Sequence, residues 1–351
     1  MSIVLSNAQK TESLNPFEGI LEMEVTDEIV SKIADAKFAW KELFPQGHLI
    51  ILVAKANGGK TTFMTHVAGE MVTNGYKVLY VNADAGASQI KEYYQHAKDN
   101  GYKLINFDLT NGSSETVINQ LENMAIADYD FSDTVIILDT LKKFCDLMQK
   151  TSSKVFYTLL RTLTAKGMTV ICLAHANKYD DKEGMPIYEG TGDTRNDSDE
   201  LFYLIPVRNP DGTMTVSTNT THTTAKSRAK LKDISFTITA DRKVEILNKH
   251  IDTLVLSQYQ RDLENDSEIV NFILDRIEFK SLSVTELHDF SKNNQLGYSR
   301  KDLETVLKRY SDMNSSCPEP KWLAMKAVKY GTLYGKIAPY YAKEIKNNWG
   351  V

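Results

Sequence analysis

Two spacings of apolar residues alternate along most of the chain. Near-continuous apolar runs occur at LIILVA (49–54), VLYV (78–81), TVIILD (134–139) and TVICLAH (169–175), with a shorter one at KLINF (103–107). Runs of this length, rich in β-branched residues, read as strands buried on both faces. Between them the apolar residues recur at helical spacing. Phe63, Met64, Val67, Ala68, Met71 and Val72 precede a stop at Gly75; residues 87–101 end at Gly101; residues 113–127 start at Ser113 or Ser114 as N-cap; residues 154–167 close at Gly167. Serine caps and terminal glycines suit these positions. The alternation predicts an α/β protein with a doubly wound parallel sheet. A further helix is expected from Asp27 to about residue 44, with Ile29, Ile33, Phe38, Trp40 and Leu43 apolar.

After about Leu201 the pattern changes. PDG separates two strand-like runs in residues 201–220, and ADRK separates two more in residues 235–247. These are hairpin signals, so antiparallel hairpins extend the C-terminal edge of the sheet. Residues 250–266 read as a connecting helix or linker. Three helical segments follow (267–279, 284–294, and 299–310 with Ser299 as N-cap), then two short strands within 321–337. Three helices and a hairpin make a small α+β, winged-helix-like unit. The expected organisation is an N-terminal arm over 1–26, the α/β domain over 27–249, a linker over 250–266 and the small unit over 267–351.

Composition adds a charge asymmetry. The net charge is −5, yet residues 299–351 hold ten Lys/Arg against five Asp/Glu. The same stretch is rich in Tyr and Trp. That combination suits a nucleic-acid surface; it equally suits a solvated basic face over aromatic core residues. Within the small unit, Arg300, Lys301, Lys308 and Arg309 on the third helix, with Lys326 and Lys329 on the wing, are the candidate DNA contacts. Three widely spaced cysteines suggest neither a disulfide framework nor a zinc site. No run has the length of a membrane helix, and the N-terminus shows no secretory pattern. A cytoplasmic protein without a membrane partner is expected.

The first buried strand runs into AKANGGKTT (54–62). It nearly matches G-x-x-x-x-G-K-[ST], with Ala54 in place of the leading glycine. Strand, glycine turn and helix are the context that a phosphate-binding loop requires. Backbone N–H groups of Asn57, Gly58, Gly59, Lys60, Thr61 and Thr62 can face phosphate oxygens at a helix N-terminus. Lys60 supplies a point charge, and the Thr61 hydroxyl can ligate Mg²⁺. Ala54 is tolerated if the backbone there needs only a negative φ. Four further places carry candidate chemistry. Asp139 ends a buried strand where a carboxylate can hold the metal's water shell. Asp84 lies past the second strand and can orient or deprotonate water. His175 ends another strand and can sense the γ-phosphate. Lys226 and Arg228 follow a late strand, and a cation there can reach a neighbouring subunit's phosphate. The glycine-rich loop 190–200, whose one cation is Arg195, reads as mobile and functional. Each of these also has an ordinary reading as a turn or strand-end residue.

Taken in order, residues 54–61, Asp84, Asp139, His175-Ala-Asn-Lys178, the glycine-rich loop and Lys226-Ser-Arg228 resemble RecA-like ATPases, and among them the RepA-type hexameric replicative helicases of plasmids and phages, relatives of DnaB. The resemblance covers about residues 38–247. It implies a RecA-like fold, ATP and Mg²⁺ as ligands, single-stranded DNA as partner, a homohexameric ring, and Lys226 and Arg228 acting across the subunit interface. The family's acid after the second strand is usually Glu, where this chain has Asp84. The appended small unit implies contact with duplex DNA or a replication protein. Two alternatives stay open. Lys55, five residues before Lys60, resembles the signature lysine of ParA/MinD-type dimeric ATPase switches. A RecA-like regulatory ATPase that binds DNA without unwinding it is the other. The 79 residues between Lys60 and Asp139 suit the compact RecA core better than the switch.

Overall fold

The computed structural model describes residues 17–32, 37–181, 185–190, 192–327 and 331–337. The chain divides at residue 37 into two compact units. The first contains two short helices, α1 (Glu18–Leu21) and α2 (Asp27–Lys32). The second contains everything else.

The long helix expected from Asp27 to residue 44 is not formed. α2 ends at Lys32, and Phe38–Trp40 is a strand, β1, paired antiparallel with β2 (Phe44–Pro45). Lys41 between them takes φ +43, which no helix interior allows. Trp40, Leu43 and Phe44 share a buried face because a tight hairpin brings them together.

The centre of the second unit is a nine-stranded sheet. Its elements in chain order are β3 (Leu49–Ala54), α3 (Lys60–Thr73), β4 (Lys77–Asn82), α4 (Ala87–Asn100), β5 (Lys103–Ile105), α5 (Ser114–Ile126), β6 (Thr134–Asp139), α6 (Lys150–Ala165), β7 (Thr169–His175), α7 (Gly192–Asp197), β8 (Glu200–Arg208), β9 (Met214–Asn219), β10 (Ser235–Ile238) and β11 (Val244–Ile246). The strand order is β11-β10-β9-β8-β3-β7-β6-β4-β5. β8, β3, β7, β6, β4 and β5 run parallel, and β9 to β11 add two antiparallel hairpins at the edge beyond β8. All six residues of β3 are buried. Leu49, Ile51 and Val53 enter one core with α5 and α6; Ile50, Leu52 and Ala54 enter the other with α3. That two-sided burial is the physical reason for the continuous apolar run. Phe63 of α3 stacks on Phe236 of β10 at 4.4 Å, which ties the phosphate-loop helix to the hairpin extension.

α8 (Thr253–Asn265) is a regular helix capped by Asp252. At its start the Thr253 hydroxyl donates to the Ile205 carbonyl on β8 at 2.8 Å. Farther along, Tyr259 belongs to a third apolar core. That core lies among α9 (Ser267–Ile277), α10 (Val284–Asn293), α11 (Arg300–Arg309) and a sheet of β12 (Leu282–Ser283), β13 (Trp322–Ala327) and β14 (Gly331–Lys336), in the order β12-β14-β13. Both α10 and α11 begin in capping boxes, at Ser283 and Ser299. Trp322 is fully buried, packs edge-on to Tyr310 and donates its indole N–H to the Leu307 carbonyl at 2.8 Å. Trp322→Ala leaves a large cavity and an unpaired carbonyl. A loss of roughly 3–5 kcal/mol is expected for this core, read as a lowered denaturation midpoint.

Candidate functional site

The chain leaves β3 at Ala54 and enters α3 at Lys60. Ala54 is the last buried residue of the strand and has no positive φ, so its methyl group is tolerated where the template has glycine. The turn places Asn57 at φ +57 and Gly59 at φ +82. A side chain at Gly59 would be strained by that φ and would meet Ile238 Cδ1 at 2.5 Å; one at Gly58 would meet the Lys55 carbonyl at 2.9 Å. No side chain caps α3, so its first N–H groups keep their donors for a ligand.

Lys60 is buried, and its Nζ makes only long contacts, to the carbonyls of Ala54 (3.4 Å) and Lys55 (3.5 Å) and to His175 Nδ1 (3.4 Å). Among the described residues it has no ion pair. Burial lowers its pKa, opposed by Asp139 and Asp84. An ammonium only donates, so His175 Nδ1 is the acceptor and the neutral ring carries its proton on Nε2. That Nε2 is buried with no hydrogen-bond partner. Burial, then Lys60 and Lys142, holds the His175 pKa below 6.5. His175 is thus expected to be mainly neutral at pH 6.5 in the free protein, with its NMR titration midpoint below that value.

Thr61 donates its hydroxyl to Asp139 Oδ2 at 2.8 Å, and Tyr80 donates to the same oxygen at 2.9 Å. Asp139 is almost fully buried, and burial raises its pKa against these hydrogen bonds and Lys60. A hydroxyl beside a carboxylate is the donor set Mg²⁺ takes in phosphate sites. The residues therefore fit both a nucleotide phosphate chain and its metal: uncapped N–H groups, an unpaired buried cation, an orphan imidazole N–H and the Thr61–Asp139 pair.

Asp84 is exposed and lines the same cavity of about 490 Å³ as Lys60, Asp139 and His175. Its loop is set by buried Asn82, whose Oδ1 accepts from the Asp84 and Ala85 N–H groups at 3.1 and 2.9 Å. Lys226 and Arg228 do not line that cavity. Lys226 donates to the carbonyls at the end of α7, including Asn196 at 2.7 Å. Arg228 pairs with Asp199 at 2.6 Å, its side chain 53% exposed. The glycine-rich stretch is partly helical, as α7, and its Arg195 donates to the Ala225 carbonyl at 3.2 Å. Two cationic cavity residues escaped the sequence reading: Arg208, at the end of β8, and Arg242, in the β10–β11 turn. Neither belongs to a local motif.

Of the candidate DNA contacts, Arg300, Lys301, Lys308 and Lys326 are exposed. Arg300 lies 3.2 Å from Glu304. Arg309 is held by Asp266 at 2.5 Å and faces Asp262 at 3.7 Å, so it ties α11 to α8. Lys329 lies outside the described residues.

A family model described as an AAA domain matches residues 18–181. No curated protein matches the chain. Among solved structures, the flagellar accessory protein FlaH from Methanocaldococcus jannaschii is similar at 15% identity, over 57% of this chain and 90% of that one, with a TM-score of 0.39. The matched family and the phosphate-loop geometry point to the same segment: residues 18–181 are similar to an AAA domain, and within them a buried strand, a glycine turn and an uncapped helix form a cradle suited to a phosphate chain. Among the described residues no helix is long and apolar enough to cross a membrane.

Proposed function

We propose that the protein is an ATP-hydrolysing motor that acts on single-stranded DNA as a ring of identical subunits, in the manner of replicative helicases of mobile elements. The observation that carries this reading is the separation of two basic sets. Lys60 serves the cavity of its own subunit, while Lys226 and half-exposed Arg228 lie outside that cavity, where Arg228 would exchange its Asp199 partner for a neighbour's nucleotide. Within the site, Lys60 and the α3 N–H groups bind the phosphate chain, and Thr61 and Asp139 hold Mg²⁺. Bound Mg²⁺ neutralises charge on the phosphates. Asp84 orients the attacking water, and the His175 Nε2–H supplies a donor at the phosphate end.

The small C-terminal unit supports a winged-helix reading through its order of helix, strand, helix, helix and hairpin. Exposed Arg300, Lys301, Lys308 and Lys326 suit duplex DNA or an acidic replication partner. Against the dimeric switch stands Lys55, which is tied to Asp180 of its own chain at 2.6 Å. Native mass spectrometry with a non-hydrolysable ATP analogue tests the choice. A mass near six protomers is expected; a nucleotide-dependent dimer would support the switch instead.

A further inference from the structure

The hairpin extension does more than lengthen the sheet. β8 runs parallel to β3, and the two antiparallel steps through β9 return β10 to the same direction. The turns that follow β8 and β10 therefore open on the sheet edge that carries the phosphate loop. The contact is close. Met214, the first residue of β9, and Ile238, the last of β10, occupy the space beside Gly59, at 3.0 and 2.5 Å from where its Cβ would stand. The glycine of the loop is thus the seat of both turns.

Each turn brings one arginine to the phosphate-loop cavity, Arg208 and Arg242, with small Gly212 and Ala240 beside them. Arg242 is fixed in a tight turn at φ +61, its N–H bonded to the Thr239 carbonyl at 2.9 Å. Neither cation is neutralised as Arg228 is. Arg208 is exposed and has no ion pair among the described residues. Arg242 has one carboxylate neighbour, Glu92 at 3.9 Å, and both side chains are more than half exposed. Two guanidinium groups that lack close partners, on a wall that already holds Lys60, suit a polyanion and forked recognition of phosphate oxygens.

We propose that Arg208 and Arg242, carried on two turns seated against Gly59, bind the phosphate chain of the nucleotide held by the same subunit. The inference rests on the ATPase reading and adds to it: ground-state affinity comes from residues of one chain, leaving the Lys226–Arg228 surface for steps between subunits.

The test is calorimetric binding of a non-hydrolysable ATP analogue, ADP and adenosine to the full chain, as wild type, Arg208→Ala, Arg242→Ala and Lys60→Ala. Each arginine variant is expected to weaken the triphosphate analogue roughly ten- to a hundredfold, to weaken ADP less and to leave adenosine unchanged. Thermal midpoints without nucleotide should match wild type. Arg208→Lys should recover part of the loss. Weakening by Lys60→Ala alone would overturn the proposal and leave the ATPase reading standing. An equal loss for adenosine would overturn it in favour of base contacts. Absence of nucleotide binding by the wild type would overturn both.

Discussion

Lys60→Ala is expected to lower ATP turnover at least about a hundredfold, the scale on which a preorganised charge at a reacting centre acts. Lys60 is buried, unpaired and aimed between two carbonyls and an imidazole. Among the described residues no carboxylate pairs with it directly, and its contacts are long, as suits a group kept for a ligand. The stability consequence has the opposite sign. Burial lowers the Lys60 pKa below 10.5, so at neutral pH the ammonium costs stability, and that cost fades as pH rises toward 10.5. The variant should therefore fold as well as wild type or better, by circular dichroism and thermal midpoint. A well-folded Lys60→Ala protein with full turnover would sink the nucleotide site.

Asp139→Asn should cost turnover about a hundred- to a thousandfold. The carboxylate accepts from Thr61 and Tyr80 through a single oxygen. An asparagine oxygen can keep those bonds, so the strand end should persist. What is lost is the negative charge proposed to hold Mg²⁺ beside Thr61. A Mg²⁺ titration of turnover should shift to much higher concentration in the variant. Because burial raises the Asp139 pKa, the neutral amide should leave thermal stability unchanged or improved. An unchanged Mg²⁺ profile would remove Asp139 from the metal site.

The parts that local pattern controls were legible in the sequence. LIILVA is a strand buried on both sides because helices cover both faces of the sheet, and such burial demands an unbroken apolar run. Gly59 and Lys60 follow it in a turn that needs a left-handed residue at Gly59. The stretch around Trp40 misled because residues 40, 43 and 44 fall on one face of a helix as readily as they meet in a hairpin; Lys41 at positive φ decides between the two, and lysine carries no such signal. The glycines of residues 190–200 suggested a loop, yet α7 forms and its terminal carbonyls are taken by Lys226 from a distant segment. Arg309 looked like a free basic residue because its partners, Asp262 and Asp266, sit on a neighbouring helix. Arg208 and Arg242 were invisible for the same reason at larger scale. Strand order, which no window of sequence contains, brings them to a loop about 150 and 180 residues earlier in the chain.

The central claim is a strand-driven ATP motor, and the most direct measurement is ATP turnover by the full chain in Mg²⁺, with single-stranded DNA titrated in. The account predicts Mg²⁺-dependent hydrolysis that rises severalfold or more with single strands and is abolished by Lys60→Ala with strands present. Hydrolysis of the same rate with and without single strands would contradict the motor, and would move the search for a partner to the C-terminal unit.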